Sequence, residues 1–186
     1  MVLSKFVRPM IALLAVVSVA VAAEKEINSG LPVGEKVPAF NVRDITGPSK
    51  GKTLCYRCQY GNRPVVTIFT RSLNDNVSSL IKQVDDVVGS KKDDGMRAFV
   101  VFISDDADTL EPKLASLAKN KKIANTPLTI VEGEQGPPNY KLAKDADVTV
   151  MMWVEGQVKV NHSFAAGALK ADDVKKVVGE TAKILN

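Results

Sequence analysis

The sequence is poor in the residues from which most catalytic and metal sites are built. It holds one histidine, two cysteines and one tryptophan in 186 residues. It contains no phosphate-binding glycine loop, no dinucleotide fingerprint and no visible Ser-His-Asp arrangement, so nucleotide-dependent and triad chemistry have no motif to rest on. Gln59 follows the second cysteine, where covalent haem attachment needs a histidine. No cofactor is implied. The Lys-Lys pairs at 91–92, 121–122 and 175–176 are scattered and mixed with Asp, the pattern of a solvated face, so nucleic acid is not an expected partner. No segment after residue 23 is apolar enough to cross a bilayer.

What the chain does have begins at its N-terminus. Lys5 and Arg8 form a positive start, an uncharged apolar run extends from Met10 to Ala23, and Ala20-Val21-Ala22 offers a small-residue cleavage pattern. Residues 1–23 therefore read as a cleavable signal peptide, and the protein as exported, periplasmic or extracellular, with no membrane association after cleavage. The apolar run is about 14 residues, short of the roughly 20 of a membrane span. With Lys5 and Arg8 removed, the formal charge falls from +4 to about +2. About 160 residues remain, enough for one domain with a real core.

Residues 24–38 are polar, carry Gly30, Pro32, Gly34 and Pro38, and read as an extended lead-in rather than a core element. Residues 39–186 read as one domain. Ala39–Ile45 alternates weakly, as a short strand does, and GPSKG over 47–51 is a turn. Residues 64–70 (PVVTIFT) and 97–104 (RAFVVFIS) are β-branched apolar runs of buried-strand length. Between them, Val77, Leu80, Ile81, Val84 and Val88 recur at helical spacing, with Asn74 or Asp75 as cap and Gly89 as stop. Asp105, Asp106 and Asp108 cap a second helix running to about Lys119. Their spacing lacks the rest of a calcium loop, and Pro112 is expected in the first turn. A short strand over 127–131 precedes a loop and a short helix over 139–144. Residues 148–154 and 157–161 form a hairpin about Glu155-Gly156. A closing helix runs over 172–185. Met151, Met152 and Trp153 read as core.

Strands alternating with helices predict an α/β fold, with a central, mostly parallel sheet, a C-terminal antiparallel hairpin and flanking helices. That order, an export signal and a C-x-x-C pair together resemble the thioredoxin-like superfamily. The nearer resemblance is to its extracytoplasmic redoxin branch of peroxiredoxins and thiol-disulfide oxidoreductases. The lead VGEKVPAFNVRDITG, the strand RPVVTIFTRS and the closing VTVMMWVEGQVKVNHSFAAGAL carry it. The resemblance implies thiol chemistry on protein thiols or disulfides. It also implies an attacking cysteine just after the first central strand and a cis-proline before the third. Here Thr70-Arg71-Ser72-Leu73-Asn74-Asp75 holds no cysteine, and the proline position falls near Val148. Ser72 is the one nucleophile left there, with no base in evidence.

The two cysteines, Cys55 and Cys58, lie upstream of the strand instead, which places them near its opposite end. Three readings stay open. The pair is a redox-active C-x-x-C, with Arg57 favouring a neighbouring thiolate. Or it is a structural disulfide in a non-catalytic binding domain, formed because the compartment is oxidising. Or, with His162, it handles copper or zinc.

Overall fold

The computed structural model describes residues 27–185, so the expected signal peptide over 1–23 lies outside the described residues. One seven-stranded sheet forms the frame, in the order β2-β1-β5-β4-β3-β6-β7. Its strands are β1 (Val42–Asp44), β2 (Thr53–Leu54), β3 (Val65–Thr70), β4 (Arg97–Ser104), β5 (Leu128–Glu132), β6 (Ala146–Val154) and β7 (Gln157–Ala165). The helices are α1 (Tyr56–Tyr60), α2 (Asp75–Ser90), α3 (Ala107–Lys121) and α4 (Ala171–Gly179), the last followed by a 3-10 turn over Glu180–Ile184.

The mostly parallel sheet is found only at the centre. There β3 runs parallel to β4, with Val66 beside Ala98, and β4 parallel to β5, with Phe102 beside Ile130. The remaining ladders are antiparallel, including β6 against β3, where Val66 faces Met152. The hairpin is thus an inner flank of the sheet as well as an edge. Its turn residues Glu155 (φ 56°) and Gly156 (φ 71°) both adopt the left-handed conformation that a tight hairpin matching strand twist requires.

Alternation along the strands divides the core in two. Val66, Ile68, Val100, Phe102, Val150 and Met152 point to one face, where α2, α3 and α4 cover them. Val65, Phe69, Phe99, Val101, Met151 and Trp153 point to the other. The second face is covered by the lead-in, by α1 and by the loop after β5. The lead-in is therefore a core element despite its polar composition. Leu31 and Val37 are buried, Leu31 N–H donates to Met151 Sδ at 3.2 Å, and Ser29 Oγ bonds Thr149 Oγ1 at 2.8 Å.

The expected helix over 139–144 does not form. Asn139 (φ 67°) and Lys141 (φ 54°) take left-handed conformations that interrupt it. In exchange, Tyr140 is fully buried, stacked edge-on to Phe40 at 4.7 Å, and donates from its hydroxyl to Pro38 O at 2.6 Å. Pro112 also departs from expectation, because it sits in the second turn of α3. It is exposed there, so the carbonyl it leaves without an N–H partner faces water. Asp106 caps α3, accepting Thr109 N–H at 3.1 Å, and the Thr109 side chain first, with that N–H, holds its carboxyl below the ordinary value. Asn74 caps α2, accepting Val77 N–H at 3.0 Å, and α2 runs one residue past Gly89.

The C-terminal 3-10 turn is fastened to β7 by His162 Nε2 and Glu180 Oε2, 3.0 Å apart, with Lys183 Nζ 3.2 Å from the same oxygen. Burial raises the Glu180 carboxyl, but the bonds from His162 and Lys183 outweigh it and the net shift is downward. A carboxyl lowered by folding stabilises the native state above its unfolded pKa, and that contribution is lost as pH falls through the folded value. Glu180→Gln is therefore expected to flatten the acid limb of the stability profile below about pH 4.5, with an effect of about 0.5 kcal/mol. Urea midpoints measured from pH 3 to pH 7 test this, and an unchanged acid limb would refute it.

Candidate functional site

Cys55 follows β2 directly and caps α1, and Cys58 lies one turn further on. Their Sγ atoms are 2.07 Å apart, bonded as a disulfide across a sequence separation of three. Cys55 is half-buried, whereas Cys58 is exposed. The N–H of Cys58 donates to Cys55 Sγ at 3.0 Å, so the two cysteines differ in exposure and in polar support.

Helix α1 is too short to hold its place by its own hydrogen bonds. Side chains fix it instead. Tyr56 is buried and its hydroxyl donates to Asp44 Oδ2 at 2.8 Å. The same buried carboxylate accepts the N–H groups of Gly47 (2.7 Å) and Ser49 (2.8 Å), which shapes the GPSKG turn. A Cβ on Gly47 would collide with Tyr56 Oη and the Asp44 carboxylate, so only glycine permits this approach. Arg57 donates from Nε to Val37 O at 2.9 Å and lays its guanidinium against Gly156. Tyr60 stacks on Tyr56 at 5.2 Å. Burial first, and for Tyr56 the bond to Asp44 as well, pushes both phenols well above their usual range, so neither serves as a base. Asp44→Asn points an amide N–H at groups that are themselves donors. It is expected to cost about 2 to 3 kcal/mol and to loosen α1, as read by urea melts and by the rate of disulfide reduction. A loss below about 0.5 kcal/mol would overturn this account of the turn.

The pair lies where its position in the chain implies, at the amino end of β3. Tyr60 reaches Ala98 O at the start of β4 (3.4 Å), and Arg57 reaches the β6–β7 turn. The loop after β3 is at the other end, six residues or about 20 Å along the strand. That second end is filled by Arg71. Its guanidinium donates to the carbonyls of Ala146 (3.1 Å), Ala143 (3.5 Å) and Glu134. Ser72 has a partner that its sequence neighbours do not reveal. Its hydroxyl donates to Asp147 Oδ2 at 2.6 Å and accepts from Asn74 Nδ2 at 3.1 Å. Asp147 is one residue from the expected proline position, so alignment with β3 alone would have found it. Among the described residues there is no cis peptide bond. With no cysteine or histidine beside them, these groups fasten the start of α2.

The three-ligand metal reading does not assemble. His162 points to the helix-covered face with Val160, paired with Glu180, whereas Tyr56 and α1 lie on the other face. Among the described residues no three His, Cys, Asp or Glu side chains gather to hold a metal ion. Met151, Met152 and Trp153 are fully buried and serve the two cores.

No known protein family matches the chain by sequence, and no curated protein does. Solved structures do match it by shape. A putative thiol:disulfide interchange protein DsbE from Chlorobium tepidum is 17% identical, covering 84% of this chain and 99% of its own, with a TM-score of 0.63. A putative protein disulfide isomerase from Bacteroides thetaiotaomicron is 15% identical, with coverage of 86% and 94% and a TM-score of 0.63. The mitochondrial 2-Cys peroxiredoxin from Plasmodium falciparum is 15% identical, with coverage of 83% and 94% and a TM-score of 0.59. The chain has the thioredoxin-like fold of these redoxins.

Proposed function

We propose that the protein is an exported thiol-disulfide oxidoreductase acting through Cys55 and Cys58, displaced from the end of the sheet where the resemblance implies a site. The observation that carries this is the asymmetry of the pair: an exposed Cys58 bonded to a half-buried Cys55 whose sulfur already accepts an N–H. A substrate thiolate attacks Cys58 Sγ, the Cys55–Cys58 bond breaks, and Cys55 leaves as a thiolate stabilised by that N–H. A second substrate thiolate then attacks the substrate sulfur of the mixed disulfide and releases Cys58. Two substrate thiols become one disulfide, and the protein is left with two thiols. The reverse sequence reduces a substrate disulfide. The partners are protein thiols or disulfides.

A structural clip has little to contribute here. A disulfide closing so short a loop removes little unfolded-state entropy. The turn it spans is already tied by Asp44, Tyr56 and Arg57. Export rests on the order of charge, apolar run and small residues over 1–23, and among the described residues no helix is long and apolar enough to cross a membrane.

The test is the reduction potential of the pair, measured on the purified protein equilibrated with glutathione buffers. A value between about −120 and −270 mV is expected for a redox-active pair, and one below about −300 mV would assign the bond to structure alone.

A further inference from the structure

Outside the disulfide and the Arg71 plug, one of two clefts of about 530 Å³ lies at the amino end of the parallel strands. It opens between α1, the C-terminal end of α2 and the loop leading into β5. That volume lies within the range of small-molecule sites. We propose that it binds a small organic anion, with the charged group against Lys92 and Arg97 and an apolar body against Pro48 and Tyr60.

The two cations line the cleft, and among the described residues neither forms an ion pair. Arg97 uses one nitrogen on its neighbour's carbonyl, Met96 O at 2.7 Å, and its remaining donors are available. Asp44 and Asp85 stand behind the wall and do not line it. Each is already engaged by donors, Asp44 by Gly47, Ser49 and Tyr56, and Asp85 by the N–H groups of Ala124 and Asn125.

A second, independent observation is Thr126. It lines the cleft, is 3% exposed, and its hydroxyl has no hydrogen-bond partner. A buried hydroxyl without a partner carries a desolvation cost that a ligand oxygen would remove. The apolar lining, Pro48 and Tyr60 in front of the buried Val88 and Ile123, gives an organic body surface to cover that a bare inorganic anion would leave wet.

The ligand lies on the far side of α1 from Cys58. Tyr56, Gln59 and Tyr60 share one face of that helix and line the cleft, and Cys58 is on the opposite face. Binding and thiol exchange are therefore separable, and failure of either leaves the other standing.

Protein-observed NMR with benzoate as probe tests the proposal, with benzamide and inorganic phosphate as controls. Benzoate is expected to bind saturably, with shift changes confined to residues 56–60, 92–97 and 123–127. Benzamide and phosphate should each bind at least about tenfold more weakly. Lys92→Gln, at an exposed position that does not threaten folding, should weaken benzoate about fivefold. Thr126→Val should weaken it by a similar factor without lowering the melting temperature of the free protein. Absence of saturable binding, shift changes elsewhere, equal binding of benzamide or phosphate, or indifference to Lys92→Gln would each overturn the proposal.

Discussion

Phe99→Ala is expected to destabilise the protein by about 4 kcal/mol, a large fraction of the roughly 5 to 15 kcal/mol that holds a domain together. Phe99 is fully buried, the third residue of β4. Its ring lies 5.5 Å from Tyr56, 6.0 Å from Phe40, 6.0 Å from Tyr60 and 6.2 Å from Trp153. Truncation removes the transfer energy of a phenyl group and leaves a cavity among large, stiff neighbours that collapse poorly. Because Tyr56 and Tyr60 rest on this ring, the variant should also free α1 and speed reduction of the Cys55–Cys58 bond. Phe99→Leu refills part of the space and should recover about half of the loss. Urea unfolding gives the first quantity and a reduction time course the second. A loss below about 1 kcal/mol would mean that the second face of the sheet is not a packed core.

That second face is where the sequence was hardest to read. Strands β3 and β4 are legible because both of their faces are buried, giving continuous β-branched runs over 65–70 and 97–104. Helix α2 is legible because one apolar stripe meets one flat face. The cover on the other face has no period. It is assembled from single anchors, Leu31, Val37, Phe40 and Tyr140, set in polar or turn-forming sequence. Tyr140 with Leu142 and Ala143 suggests a helix, but Asn139 and Lys141 take left-handed conformations so that Tyr140 can reach Pro38. The tertiary contact overrides the local propensity. The candidate site was legible in part for the same reason. C-x-x-C is a local signal and its place before β3 fixes which end of the sheet it occupies. The partnership of Asp44 with Tyr56, twelve residues apart, and that of Ser72 with Asp147, seventy-five apart, exist only once the strands have paired.

Serine substitution of the two cysteines is expected to give unequal outcomes, and that inequality is the sharpest consequence of the site. Both variants lose complete turnover, because exchange needs two sulfurs. They should differ in the half-reaction with a small disulfide such as oxidised glutathione. In Cys55→Ser the remaining thiol is the exposed Cys58. It attacks readily and no resolving thiol follows, so the mixed disulfide accumulates. In Cys58→Ser the remaining Cys55 is half-buried at the cap of α1. The N–H that supports its sulfur favours the thiolate, but one such bond is worth only about 1 kcal/mol. It also lowers the nucleophilicity of the sulfur it stabilises. Access therefore decides, and Cys55 should form the adduct at least about tenfold more slowly, equivalent to 1.4 kcal/mol in the barrier. Intact mass measured over time reads both rates. Faster trapping at Cys55 would exchange the two roles, with the N–H bond outweighing exposure. Trapping at neither sulfur, in protein that remains folded, would leave the disulfide without an exchange function.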